Sequence, residues 1–457
     1  MTDFIIKKLP YDLTSNAGLA FIGKHLKRIN LQSMIDTVFP VRSGVSNSDI
    51  FKSYLALLSL GKNDFDAIEN FRGQAFFKQA LQIKNVPSSA TLRQRLDTNA
   101  PKWFDSIAGI NEKLLGGKIA GKAIDFGVLG CGYTPVDIDT FAMDNSKTSK
   151  ELVGRTYAGV DGFCPCAVYL GTLGYCLELA LRAGVQHSAL DTEYNLERTL
   201  PIAVKLVATS LLVRADSGFC SLKLMQEIQT QGTDLNREIA FIIKWNPRKT
   251  AVEAIAKQRC SDLNTVWTSD REGKRECIWQ ENLKLPGIGT PANPARRVYR
   301  LIERTIDKKG VVLLLPEYEI EGWTTTLPER FGTAEIIALY CDHATHEQFH
   351  SEFKTDMDLE RLPSGKFDTN YLICQLAAVA MNLLRLIGQN TLLDKDGPVR
   401  HSAKRRRIKT VMQEIMFKAA RMIKTARRWV LGLGAYRYTQ VFNALCFQYH
   451  SNFQREH

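Results

Sequence analysis

Val136-Asp137-Ile138-Asp139-Thr140-Phe141 alternates apolar and polar side chains, and Ser210-Leu211-Leu212-Val213-Arg214-Ala215-Asp216 is a short apolar run that ends on an acid. The first pattern has the period of two expected of a strand, and the second reads as a strand buried on both faces. Between them, residues 167–172 and 175–181 have strand character. Residues 199–207 read as a helix, with Pro201 in its first turn, where a missing N–H is tolerated.

Three strands, a helix and a fourth strand form the opening of a ribonuclease H-like fold. Further strands are expected at residues 239–245, 297–304, 311–315 and 318–326, interrupted by the Pro/Gly-rich loop Leu285-Pro286-Gly287-Ile288-Gly289-Thr290-Pro291. Upstream the pattern is helical: Ala20, Phe21, Ile22, His25, Leu26 and Ile29 form one apolar stripe, and Ile50, Tyr54, Leu57, Leu58 and Leu60 another. Pro87-Ser88-Ser89 is an N-cap signal opening a short helix, Ala90 to Leu96. Its Arg93 and Arg95 suit a DNA-reading helix, or equally the solvated face of a packed bundle. A last long helix carries Ile408, Met412, Ile415, Ala419, Met422, Ala426 and Trp429 on one side. The expected architecture is α+β: a helical DNA-binding domain (1–125), a ribonuclease H-like core in two parts (126–236 and 317–395) split by a β-rich insertion (237–316), and a basic helical C-terminal region (396–457).

The 457 residues carry a formal charge of +12. From Arg400 to Arg437 twelve Lys/Arg face one acid, Glu414, which places nearly the whole excess in one segment. That segment, Arg405, Arg406 and Arg407 included, fits a nonspecific DNA arm, or a solvated amphipathic helix. No uninterrupted apolar run suggests a membrane span and no signal peptide is evident, so a cytoplasmic, nucleoid-associated protein is expected. The ten cysteines include no paired CxxC sets, so neither structural zinc nor a disulfide framework is indicated.

Phosphodiester chemistry with two metal ions needs carboxylates that converge from distant points in the chain on cations about 3.5–4 Å apart. Asp139 lies in a strand, Asp216 ends another, and Glu347 falls in a helical stretch. Three carboxylates suffice for two Mg²⁺ or Mn²⁺ ions, which keep several waters. On a continuous helix Tyr340, His343, Glu347 and Lys354 share one face, with His343 and Lys354 able to meet DNA phosphates. Asp137 is a rival to Asp139 as first ligand.

These residues resemble the DDE transposases of bacterial insertion sequences. In the insertion-sequence-four group the third acid sits in a Tyr-x2-Arg-x3-Glu-x6-Lys signature, which stands here as Tyr340, His343, Glu347 and Lys354, with His in place of Arg. A closer resemblance is to the family numbered thirteen-eighty, related to the piggyBac transposases. It rests on Val136 to Thr140, on Val213-Arg214-Ala215-Asp216-Ser217-Gly218-Phe219, on Leu362-Pro363-Ser364-Gly365-Lys366-Phe367, on the N-terminal helices and on Arg427-Arg428-Trp429-Val430-Leu431. The resemblance implies metal-dependent cleavage and transfer of an insertion sequence, with attack by water and then by the freed 3′-hydroxyl. The implied partners are double-stranded DNA, as terminal inverted repeats and target, and a second copy in a homodimer, with no membrane. The insertion resembles that of hairpin-forming transposases, in which an aromatic ring holds a flipped base. Trp323 is the candidate, with Trp245 and Trp279 behind it, against the plainer reading of a core tryptophan.

Two other functions fit parts of the chain. His346-Glu347-Gln348-Phe349-His350 matches the HExxH of zinc metalloproteases, but no third ligand follows: Phe353 and Asp356 stand where an extended motif needs Gly and His. A non-catalytic DNA-binding repressor or a decayed transposase would need no acids, whereas all three are present.

Overall fold

The structure is a computed structural model. It describes residues 6, 10–119, 121–247, 250–290, 293–307, 309–342, 346–391, 406–426 and 429–434.

A twisted nine-stranded sheet forms the centre. Its first five strands are β1 (Thr134–Thr140), β2 (Cys166–Leu170), β3 (Tyr175–Ala180), β4 (Leu211–Ala215) and β5 (Ile239–Lys244). They lie in the order β3-β2-β1-β4-β5, and β6 (Thr268–Arg271), β7 (Lys274–Asn282), β8 (Arg296–Ile306) and β9 (Val312–Thr325) continue beyond β5 through β9. β1, β4 and β5 are parallel neighbours, whereas β2 and β3 form an antiparallel meander. The β2–β3 turn depends on Gly174. Its φ is +67°, and a Cβ there would meet the Phe349 ring at 2.2 Å.

Most expected strands appear within a residue or two of their sequence bounds. Residues 311–315 and 318–326 are not two strands but one, β9, so the insertion edge expected at residue 316 falls inside a strand. The insertion is therefore an extension of the central sheet. Helix α6 (Glu193–Leu206) begins six residues earlier than the 199 expected, which moves Pro201 out of the first turn into the helix body.

The N-terminal helices are α1 (Leu19–Arg28), α2 (Leu31–Asp36), α3 (Asn47–Ser59), α4 (Ala75–Leu81) and α5 (Ser89–Leu115). The short helix expected at 90–96 is the first part of the 27-residue α5, whose N-cap Ser88 accepts from Thr91 N at 3.2 Å. Helices α7 (Leu222–Asp234) and α8 (Val252–Ser261) follow. Then come α9 (Thr333–Cys341), α10 (His346–Ser351), α11 (Phe367–Thr391) and α12 (Ile408–Val411). α11 packs against α3, α5 and β3, so the helical segment and the sheet share one core running from Ala17 to Met422. Its span Phe367–Asn390 is long and apolar enough to cross a bilayer, but 94% of that apolar window is buried inside the protein. Asn382 fastens the joint: it donates to Asn111 Oδ1 (2.8 Å) and Cys176 O (2.7 Å), and accepts from Cys176 N (2.9 Å).

The long helix expected over 408–429 does not form. α12 runs into a π-helical turn, Met412–Met416, and the chain then makes a hairpin of β10 (Ala420–Lys424) and β11 (Trp429–Leu433). The short strand Leu13–Thr14 pairs with β10, which supplies a backbone partner that a reading of helical periodicity cannot foresee.

One buried ion pair ties the centre together. Arg214 Nε and Nη2 donate to both oxygens of Asp137 (2.6 and 2.8 Å), and Nη1 donates to Leu339 O in α9 (2.7 Å). Both side chains are 2% exposed. Removing one partner strands the other charge, so Arg214→Met should cost about 3–5 kcal/mol, whereas the double replacement Arg214→Met with Asp137→Leu should recover most of that loss. Urea unfolding of the three variants measures the coupling, and equal losses in the single and double variants would contradict it.

Candidate active site

Parallel register sets Ala215 beside Ile138 and beside Ile243. The next residue along each strand is Asp139, Asp216 or Lys244, so these three come level at the C-terminal ends of three adjacent strands. Alternation along a strand puts Asp139 on the face of Asp137, Asp216 on that of Arg214, and Lys244 on that of Ile242. This is the face whose cluster includes Leu212, Ile242, Trp323, Ile336 and Leu339, and α9 covers it.

Each acid is held by backbone at one oxygen. Asp139 Oδ1 accepts from Thr140 N (2.7 Å), and Asp216 Oδ1 accepts from Gly218 N (2.8 Å), which starts a short 3-10 turn, Ser217–Phe219. Space at Gly218 is tight: a Cβ there would lie 3.0 Å from Asp216 Oδ1 and 3.3 Å from Ser188 Cβ, so a larger residue would press on the Asp216 carboxylate. Burial pushes the Asp139 carboxyl up to about 8, and the charges of Asp216, Asp137 and Glu347 push the same way. Asp216 is raised too, chiefly by burial, against the opposing pull of its backbone hydrogen bonds and of Lys244 and His187.

Asp137 is engaged on both oxygens by Arg214, which leaves Asp139 as the acid open to the edge. Glu347 is exposed on α10 and acts on Asp139 only through its charge. Among the described residues no three Asp, Glu, His or Cys side chains converge closely enough to hold an ion as they stand.

Around Glu347 the described residues form α9, α10 and a π-helical turn, Glu352–Asp356, while residues 343–345 lie outside the described residues. Lys354 falls in the π-helical turn, which departs from the regular helical spacing assumed between it and Glu347. Tyr340, near the end of α9, has its hydroxyl pushed upward by burial and then by the charges of Asp216 and Asp139, so it does look onto the acids. Lys354 pairs with Glu360 at 3.0 Å. His343 and Arg405 lie outside the described residues.

Other candidates take structural places. Trp323 is 1% exposed and packs on Tyr340 at 6.0 Å, so its ring offers no free face to a base. Trp279 stacks on Tyr299 at 5.0 Å with Arg259 over it, and Trp245 lies beneath Arg297. Arg95 donates to Asn47 Oδ1 (2.8 Å) and Val45 O (3.3 Å), which spends it on the start of α3, whereas Arg93 is exposed over the Phe65 ring. Arg406 is 9% exposed, and Arg407 donates bidentately to the buried Asp356 at 2.8 and 2.9 Å. Neither fits a free DNA arm as placed.

Three further residues lie at the edge: His350, which the sequence marks only as part of HExxH, and Tyr157 and Lys244, which no motif marks. His350 stacks on Phe141 (4.4 Å) with Nδ1 3.8 Å from Asp139 Oδ2. Tyr157 donates to Thr140 O at 3.2 Å, and its hydroxyl is raised to about 12 by burial and by Asp139. Lys244 is the third. The turning of β5 into register with β4 is the only signal for it, and sequence spacing alone does not reveal that register.

The profile of the family described as transposase DDE domain group 1 matches residues 11–450. The chain belongs to this transposase family. Among solved structures, the transposase is similar to a piggyBac transposase synaptic complex with hairpin DNA, determined by cryo-EM. That match has a TM-score of 0.40 and 11% identity over 88% of this chain and 80% of that one. No curated protein matches it.

The raised Asp139 carboxyl carries a pH signature. With a folded value of about 8 against an ordinary 3.8, the folded state holds the proton more tightly, so this residue's contribution to stability falls as pH rises from about 4 to 8. In EDTA, the melting temperature of the unsubstituted protein relative to Asp139→Asn should therefore drop between pH 5 and pH 8. A pH-independent difference would contradict the raised carboxyl.

Proposed function

We propose that this transposase cuts and joins DNA at the edge formed by Asp139, Asp216 and Glu347, which together hold two Mg²⁺ or Mn²⁺ ions. The observation that carries the reading is the Asp139–Asp216 pair, level at the ends of adjacent parallel strands in a chain of DDE transposase family. The donor set suits such ions, since carboxylates offer only oxygen and a cation would offset the burial and the neighbouring negative charges that keep the Asp139 carboxyl raised. Glu347, exposed on α10, would complete the set from the open side.

Ions bound there supply Lewis acidity, activating the attacking oxygen and taking up charge on the leaving one. The chain's own groups hold the arrangement. Thr140 N and Gly218 N fix one oxygen of each aspartate and leave the other open. Arg214 keeps Asp137 out of the ligand set. Water is the first attacking group and the freed 3′-hydroxyl the second. Two element ends processed together imply a homodimer on DNA, related by a two-fold axis.

The strand order β3-β2-β1-β4-β5, with β1, β4 and β5 parallel, supports a ribonuclease H-like core, and the Arg214 to Phe219 stretch supports the thirteen-eighty affiliation. A bacterial, nucleoid-associated location follows from that affiliation. The zinc protease reading is not favoured, because His350 is packed on Phe141 and turned to Asp139 while Glu347 faces outward.

Asp139→Asn, Asp216→Asn and Glu347→Gln should each lower nicking of a labelled element-end duplex by on the order of 10³-fold or more, with binding in EDTA unchanged. His350→Ala should be milder, and purified protein should hold no stoichiometric zinc. Cleavage indifferent to Asp139 and Asp216 would overturn the reading.

A further inference from the structure

Lys244 ends β5 one strand beyond Asp216, as Asp216 ends β4 one strand beyond Asp139, so an ammonium completes a row begun by two carboxylates. Its charge is felt at Asp216. The side chain is held in place: Nζ donates to Glu321 Oε1 at 2.8 Å, and Glu321 in turn accepts Arg300 Nε on its other oxygen at 3.0 Å. Glu321 is 14% exposed, while the Lys244 and Arg300 side chains are 31% and 26% exposed. Two cations on one carboxylate leave a net charge of +1 beside the acids. Glu321 takes only one of the three ammonium hydrogens, so donors remain for a further acceptor. The Lys354 expected from the sequence to meet phosphate is instead paired with Glu360.

We propose that Lys244, oriented by Glu321, contacts a backbone phosphate of the DNA strand lying across the Asp139–Asp216 edge. This rests on the reading of that edge as the place of DNA chemistry. A phosphate is the ligand whose charge and oxygen lone pairs match a fixed, partly open ammonium, and such contacts set where a strand lies without reading its sequence. Lys244 is then a positioning residue: it fixes which phosphodiester meets the acids.

The test uses the full-length protein with a short blunt duplex in EDTA, so that binding is seen without cleavage. Lysine acetylation of the unsubstituted protein, read by mass spectrometry, should show Lys244 protected severalfold by the duplex, with the exposed Lys257 of α8 as reference. Lys244→Gln should reduce the slope of log affinity against log salt by about one, and Lys244→Arg should restore it. Because the footprint is taken on the unsubstituted chain, misfolding of a variant does not blunt the test. If the protein binds the duplex with Lys244 unprotected, or with the slope unchanged in a folded Lys244→Gln variant, this proposal falls and the transposase reading stands. Absence of any duplex binding by the unsubstituted protein would overturn both.

Discussion

Arg214 and Asp137 put two full charges into the middle of the sheet, where desolvation is severe and only near-complete hydrogen bonding offsets it. The guanidinium spends three of its nitrogens, two on Asp137 and one on the carbonyl of Leu339. The partners come from three separate elements, so the pair can form only if β1 lies level with β4 and the end of α9 closes over them. That single constraint places Asp139 beside Asp216 and brings Tyr340 above them. It also separates the two aspartates on β1: Arg214 engages both oxygens of Asp137, whereas Asp139 stands at the strand end beside Asp216.

Around that fixed point the electrostatics are graded. The two aspartates share a partly buried edge, and burial together with the charge of Asp216 raises the Asp139 carboxyl. Lys244, Glu321 and Arg300 lie on one flank, all of them brought there by the way β9 returns to pair with β5. The long excursion between β5 and α9 is therefore not a separate appendage. It widens the sheet by four strands and supplies Glu321, which holds Lys244 beside the acids, and the Arg300 that shares it.

Much of this was legible in the sequence, and the failures have common causes. Strands with strong period-two or buried character, such as β1, β4 and β5, were placed nearly to the residue, and with them Asp139 and Asp216. Helical periodicity misled where tertiary pairing overrides it: Ala420 to Leu433 has apolar residues at helical spacing, yet the strand at Leu13 offers it a ladder. The Glu347 stretch has the spacing of one regular helix but widens into a π-helical turn at Glu352–Asp356, and nothing local in the sequence announces that turn. Charge was the least legible property. Arg95, Arg407 and Lys354 look like free cations in the sequence, but their acceptors, Asn47, Asp356 and Glu360, are chosen by the folded chain. Lys244 sits in an unremarkable apolar run and acquires meaning only through register.

The seam between the chain's two ends has a consequence for how the protein is made. Leu13 and Thr14 pair with Arg421 and Ala420, and Asn111 meets Asn382, 271 residues later. Contacts so remote in sequence are slow to form, and during synthesis they wait until the later segment has been made. The N-terminal helices pack on one another, but α3 and α5 also bury surface against α11, which is made only after the whole nine-stranded sheet. A product that stops before α11 would keep that surface exposed and would be material for proteolysis. Because residues 13–14 and 420–421 belong to the same core as the sheet, the edge that carries Asp139 and Asp216 is complete only when these distant segments are joined.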